Sequence, residues 1–238
     1  GQLVSSTTHT DAGVYSDTVT YTDGTGNYKN ASKTVKSYVL KATVTLTGDG
    51  LNGSGYFGTY DGTAHAATAT VTGVGGAVLG QLVSSTTHTD AGVYSDTVTY
   101  TDGTGNYKNA SKTVKSYILK ASVTITGDGL NGSGYFGTYD GAAHAATATV
   151  RGVGGAVLGQ LVSSTTHTDA GVYSDTVTYT DGTGNYKNAS KTVKSYILKA
   201  SVTITGDGLN GSGYFGTYDG AAHAATATVR GVGGAVLG

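Results

Sequence analysis

The side chains with the widest chemical repertoire here are six histidines and a set of acids that are all aspartate; the chain has no cysteine and no glutamate. Ser5, Ser6 and His9 lie close in sequence, which raises nucleophilic catalysis. That chemistry needs a serine framed on a strained turn beside its base, and no such elbow surrounds them. No P-loop and no dinucleotide fingerprint is read either. Zinc requires three or four converging ligands, so His9 and His65 read as ordinary strand or turn residues, and neither metal nor cofactor is expected. Asp49 with Asn52 and Ser54, and Asp23 with Asn27 and Asn30, are oxygen-rich. Both sets lack the terminal glutamate of an EF-hand loop, and read as Asx and glycine turns. Asn30, Asn52, Asn109, Asn131, Asn188 and Asn210 each begin an N-glycosylation sequon and are candidate glycan acceptors in loops. A covalent Lys–Asn or Lys–Asp crosslink would need a nearby buried acid, usually glutamate; only aspartate is present, and Asp17 is the most suggestive.

These residues recur, and the recurrence organises the chain. Gly1-Gln2-Leu3-Val4 returns at Gly80 and again at Gly159, a period of 79 residues. That is too long for a solenoid turn and suits one small all-β domain. An active site copied at every period would be unusual, so the chain is not expected to be an enzyme. Thr, Val and Tyr favour strands, and 40 glycines supply turns. Charged residues make up 12% and the net charge is −1, which excludes the basic surface that nucleic acid requires. No stretch reads as a membrane span.

Within one period the strands follow from alternation. Lys41 to Thr47 alternates apolar and polar residues. The loop Gly48 to Gly55 precedes a short aromatic segment, Tyr56 to Tyr60. His65 to Val71 alternates again, Ala77 to Val83 is an apolar run, and long strands cover Val93 to Thr101 and Ser111 to Ile118. About seven strands with frequent turns predict tandem immunoglobulin-like β-sandwiches. The segment Asp90-Ala91-Gly92-Val93-Tyr94 has the spacing of a tyrosine corner. The corner residues are Asp11, Gly13 and Tyr15, then Asp90, Gly92 and Tyr94, then Asp169, Gly171 and Tyr173. Two positions beyond each corner tyrosine stands Asp17, Asp96 or Asp175. Strict alternation would bury that carboxylate at high cost, so either a bulge turns it out or a lysine or histidine partners it, and the exposed or rim position is preferred. Lys33, Lys36 and Lys41 are read as protecting sheet edges.

Tyr60 to Val74, then Thr87 to Tyr94, Gly105-Asn106-Tyr107 and Ile118 to Ala121, taken in order, resemble the MBG-type Ig-like repeats of large bacterial surface and adhesin-like proteins. The resemblance spans essentially the whole period. It implies an Ig-like sandwich, extracellular or cell-surface display, and a spacer or adhesive role, with no catalytic residues to carry over. The corner motif places the domains at 41–119 and 120–198. Residues 1–40 become the C-terminal part of one repeat and 199–238 the N-terminal part of another. The chain then reads as a slice of a longer fibre in preference to half-domains completed by a neighbouring molecule. The expected function is an extracellular fibre, stalk or filament whose partners are neighbouring repeats, in a homopolymer or bundle. The alternative is a multivalent adhesin for glycans or another cell, with Tyr56, Phe57 and Tyr60 as contacts.

Overall fold

The structure is a computed structural model describing residues 2–237. It divides into two compact units, Gly1–Lys120 and Ala121–Gly238. The first unit contains β1 (Gly13–Tyr21), β2 (Ala31–Val39), β3 (Thr45–Gly48), β4 (Tyr56–Thr59), β5 (His65–Thr72), β6 (Val78–His88), β7 (Gly92–Tyr100) and β8 (Ala110–Leu119). The second contains β9 (Thr124–Gly127), β10 (Tyr135–Thr138), β11 (His144–Arg151), β12 (Val157–His167), β13 (Gly171–Tyr179), β14 (Ala189–Leu198), β15 (Thr203–Gly206) and β16 (Ala227–Arg230). Apart from strands, the described residues form only three-residue 3-10 turns such as Leu51–Gly53. The chain is therefore all-β, and its strand pattern repeats with the 79-residue period.

One complete repeat, β3 to β8, builds two three-stranded sheets, β3-β5-β6 and β4-β8-β7. The second holds one parallel pair, Tyr56↔Ser116 through Thr59↔Leu119; its other pair, β7 with β8, is antiparallel. Strict alternation explains which faces meet. In β5 every second residue is buried (Ala67, Ala69, Val71), and in β7 and β8 Val98, Val114 and Ile118 are buried. Ala67 and Ala69 of one sheet pack with Val98 and Val114 of the other, with Leu82 beside them. Alanine on β5 leaves room for the valines opposite. Gly55 sits between the sheets: a β-carbon there would lie 2.5 Å from Ala67 Cβ and 2.6 Å from Val114 Cγ2. Units β9 to β14 repeat the arrangement, with Ala146, Ala148, Val150, Val177, Val193 and Ile197 buried.

Three sequence expectations change. The first strand of the repeat starts at Thr45, and the segment before it contributes a lone parallel bridge between Ala42 and Tyr107. So each complete repeat has six strands and a bridge rather than seven strands. Lys33 and Lys36 lie on β2, an edge of the two-stranded β1–β2 sheet, whereas their counterparts Lys112 and Lys115 lie on β8, the middle strand of its sheet. Lys112 still serves an edge: its ammonium donates to the Leu46 carbonyl of the edge strand β3 at 2.7 Å. Asp96 is buried, at 2% exposure, and the β7–β8 register runs unbroken past it. No bulge turns the carboxylate out.

The partial repeats lack their second layer. The β1–β2 hairpin stands without the residues that cover β7 and β8, and Val35 is 37% exposed where its counterpart Val114 is 3%. In 199–237 only β15 and β16 pair, and Ile204 is 66% exposed where Ile125 is 6%.

Candidate functional site

The densest cluster of polar chemistry gathers around the buried aspartate. β7 carries Asp96 inward, β6 delivers Thr86 and His88, and β8 delivers Ser116. Thr86 Oγ1 donates to Asp96 Oδ1 at 2.7 Å, His88 Nε2 lies 2.7 Å from the same oxygen, and Ser116 Oγ donates to Oδ2 at 2.9 Å. Burial alone would push the Asp96 carboxyl up. The hydrogen bonds from Thr86, His88 and Ser116 outweigh it and hold the group below the ordinary carboxylate range. Around Asp17, the hydrogen bonds from Ser37, His9 and Thr7 bring the carboxyl down to about 2. The His88 ring lies flat on Tyr94, with centroids 3.8 Å apart and planes 7° from parallel. Tyr94 OH in turn donates to the Asp90 carbonyl at 2.8 Å, and Tyr15 and Tyr173 make the same bond to Asp11 and Asp169. Corner, ring stack and buried carboxylate thus form one chain of contacts. Gly92 is small because the tyrosine crosses it: a β-carbon would lie 2.9 Å from Tyr94 OH.

Serine, histidine and aspartate meet here in the wrong order for acyl transfer. A catalytic histidine stands between serine and aspartate; here Asp96 stands between His88 and Ser116. The arrangement pins three strands together. Lysine–aspartate bonding is not what the cluster does either, since Lys112 reaches Leu46 and Lys115 donates to Ser95 Oγ at 2.9 Å.

The remaining sequence candidates are also held by turns and strands. His65 stacks on Tyr56 at 4.2 Å and lies 3.0 Å from Asp61 Oδ1. Asp49 accepts from Thr70 Oγ1 at 2.7 Å and Gln81 Nε2 at 2.9 Å, which ties the loop to β5 and β6 instead of leaving the carboxylate for an ion. Asp102 accepts from the amides of Thr104 and Tyr107, both at 3.0 Å, while its own amide donates to Asn109 Oδ1 at 2.9 Å. The described residues contain no group of three or more His, Cys, Asp or Glu placed to hold a metal. Of the sequon asparagines, Asn52, Asn131 and Asn210 occupy the left-handed region, at φ 54°, 55° and 58°, on exposed turns. Asn30, Asn109 and Asn188 each use the side-chain carbonyl to close the Asp23, Asp102 and Asp181 loops. Gly48, Gly50 and Gly53 do fall at G-x-G-x-x-G spacing, which motif reading passed over. The last three residues of the motif form a 3-10 turn and a strand follows, not an α-helix, so no α-helix N-terminus stands there to take a pyrophosphate.

Two features were not visible in the sequence. One is a cleft of about 360 Å³ lined by Leu51, Asn52, Ser54, Phe57, Lys112 and Tyr117. Its counterpart between Leu130 and Tyr196 measures about 380 Å³. Phe57 is 43% exposed there, tilted 53° against Tyr117, and the buried Ser54 hydroxyl has no hydrogen-bond partner. Tyr56 stacks on His65, and of the three aromatics named for sugar contact only Phe57 lines this cleft. The other feature joins two repeats inside the first unit. The Ala12 amide donates to Asn106 Oδ1 at 2.6 Å, and Asn106 Nδ2 donates to Asp11 Oδ1 at 2.9 Å. The tyrosine corner of one repeat is thereby clamped to the β7–β8 loop of the next.

No family model, curated protein or solved structure matches this chain.

Proposed function

We propose that this chain is a structural segment of tandem immunoglobulin-like β-sandwiches of the MBG type. In this reading it is displayed outside a microbial cell as part of a fibre, stalk or filament. The observation that carries the reading is the corner-to-loop clamp between Asp11–Ala12 and Asn106. It spends the residues that build each domain on fixing one domain to the next, which a spacer needs and an isolated binding module does not. The buried Asp96 cluster supports it further, because every potentially reactive group there is consumed by strand-to-strand bonds. Chains carrying increasing numbers of the repeat should give scattering profiles whose maximum dimension rises in equal steps. A dimension that grows only as the cube root of mass would overturn the reading.

The recurring cleft favours adhesion as a second reading. An exposed phenylalanine beside a tyrosine and a lysine, offered once per repeat, suits the apolar face and hydroxyls of a sugar. Phe57→Ala together with Phe136→Ala should abolish signal on a glycan array; a blank array for the parent chain removes the adhesive role.

A further inference from the structure

We infer that the cleft beside Phe57 is a site for an acidic sugar, one whose ring carries a carboxylate, and that Lys115 is the residue that selects the charge. This inference rests on the adhesive reading of the cleft and narrows it to one class of ligand.

The cleft exists because two neighbouring strands differ in length. β8 begins at Ala110, whereas its parallel neighbour β4 begins at Tyr56, opposite Ser116. Upstream of β4 the chain turns away through Leu51–Gly53. The stretch of β8 from Lys112 to Lys115 therefore pairs with β7 on one side and borders the cleft on the other. Alternation decides what that border offers. Lys115 and Leu119 turn their carbonyls to the β4 side, accepting from the Gly55 and Tyr60 amides at 2.7 and 2.8 Å. Thr113 stands two residues before Lys115, so its main-chain N–H and C=O turn the same way, along the stretch that β4 does not reach. A ligand rich in hydroxyls meets one main-chain donor and one acceptor there.

The side chains add an apolar wall and a charge. Phe57 pairs across the sheet with Tyr117, their ring centroids 6.2 Å apart, and the exposed Leu51 lines the same space. Such a surface suits the C–H face of a sugar ring. The charge is one-sided: Lys112 and Lys115 line the cleft, and none of the described residues lining it is acidic. Both ammonium groups donate to neutral acceptors, Lys112 to the Leu46 carbonyl at 2.7 Å and Lys115 to Ser95 Oγ at 2.9 Å. Each has two further protons to give. Among the described residues no carboxylate forms an ion pair with either one. Lys112 reaches across to β3, whereas Lys115 stands exposed in phase with Thr113 and Tyr117. Lys115 is therefore the group that a bound carboxylate meets. An uncompensated cation beside an aromatic wall fits a ring that has both C–H groups and a carboxylate. A neutral sugar leaves the charge unanswered, and an acidic peptide brings the charge without the flat apolar face. The second unit repeats the arrangement: Phe136, Lys191, Lys194 and Tyr196 line its cleft, and Lys194 donates to Ser174 Oγ at 2.8 Å.

Calorimetric titration of the full chain tests this with three probes. They are an oligogalacturonate, the same oligosaccharide with its carboxyls reduced to alcohols, and a poly-glutamate peptide. The oligogalacturonate should bind, and added salt should weaken it. The reduced form and the peptide should each bind at least about tenfold more weakly. Lys115→Gln together with Lys194→Gln should lower affinity for the oligogalacturonate by about tenfold. The same variant should keep the parent's affinity for the reduced form and its circular dichroism band. Equal binding of the acidic and reduced forms would overturn the acidic-sugar assignment and leave the adhesive reading standing. Absence of oligogalacturonate binding overturns it as well; a glycan array blank throughout then removes the adhesive reading too. Poly-glutamate binding as tight as the oligogalacturonate would show a site for charge alone, and undiminished binding by the lysine variant would remove Lys115 from recognition. Either of these results overturns the proposal.

Discussion

Asp96 combines nearly complete burial with a full set of partners, and that combination governs its effect on stability. Its carboxyl titrates lower in the folded chain than the ordinary 3.8. A carboxylate lowered by folding contributes stability that is fully present above the unfolded value and is lost as pH falls through the folded one. Resistance to urea should therefore hold constant from neutral pH down to about 4 and decline below it. Replacing Asp96 and Asp175 by asparagine should flatten that decline and cost each complete repeat about 1–3 kcal/mol at neutral pH, because His88 and Ser116 lose a charged acceptor. An unchanged urea midpoint at pH 6 would show the cluster to be ornamental to stability. Gly55 makes a second residue-scale prediction. Its missing side chain leaves the space that Ala67 and Val114 fill, so Gly55→Ala should overpack the core and lower stability by about 1–3 kcal/mol, read as a lower melting temperature. The residue scale was half legible. Asp-x-Gly-x-Tyr marked the corner, and alternation did place Asp96 inward. Preferring an exposed position set the cost of burial above a histidine partner, and the donors on β6 and β8 lie 8 and 20 residues away in sequence. Long-range partners of that kind leave no local signal.

At the scale of the element, periodicity two named β5, β7 and β8 to within a residue or two, since each buries a regular face. It overstated β3, where four residues pair and the earlier alternation of Lys41 to Val44 lies outside the strand. What alternation could not supply was sheet order. The lysines of β8 look like edge guards in sequence, and they sit on the central strand because β4, contributed from far upstream, covers its other side. Lys112 protects β3 from across the core rather than from its own strand. Lys112→Met, with Lys191→Met in the second complete repeat, should leave the Leu46 and Ile125 carbonyls open and raise aggregation on heating, measured by scattering at the unfolding transition. Tyr94→Phe tests the corner itself. It keeps the stack on His88 and removes only the bond to the Asp90 carbonyl, so a loss of about 1 kcal/mol is expected by urea titration of the repeat.

For the molecule as a whole, the period was plain in the sequence. The cleft beside Phe57 and the Asn106 clamp were not, because each is assembled from segments half a domain or more apart. Hydrogen exchange reads the difference between whole and partial repeats directly. In dilute solution, amides of residues 214–226 should exchange far faster than their counterparts at 135–147, although the sequences there are identical. Equal protection would mean that the ends are already covered. The parallel pairing of β4 with β8 has a mechanical consequence. A pull on the two ends of a repeat loads β3 and the end of β8 first; once β3 gives way, Tyr56 of β4 and Leu119 of β8 are drawn in opposite directions, so the parallel strands β4 and β8 are sheared along their lengths. Their bonds then carry the load together, whereas a hairpin opened from its end would break its bonds singly. Stretched one molecule at a time, the chain should resist with discrete force peaks, each releasing about 27 nm of contour, the extended length of one 79-residue repeat.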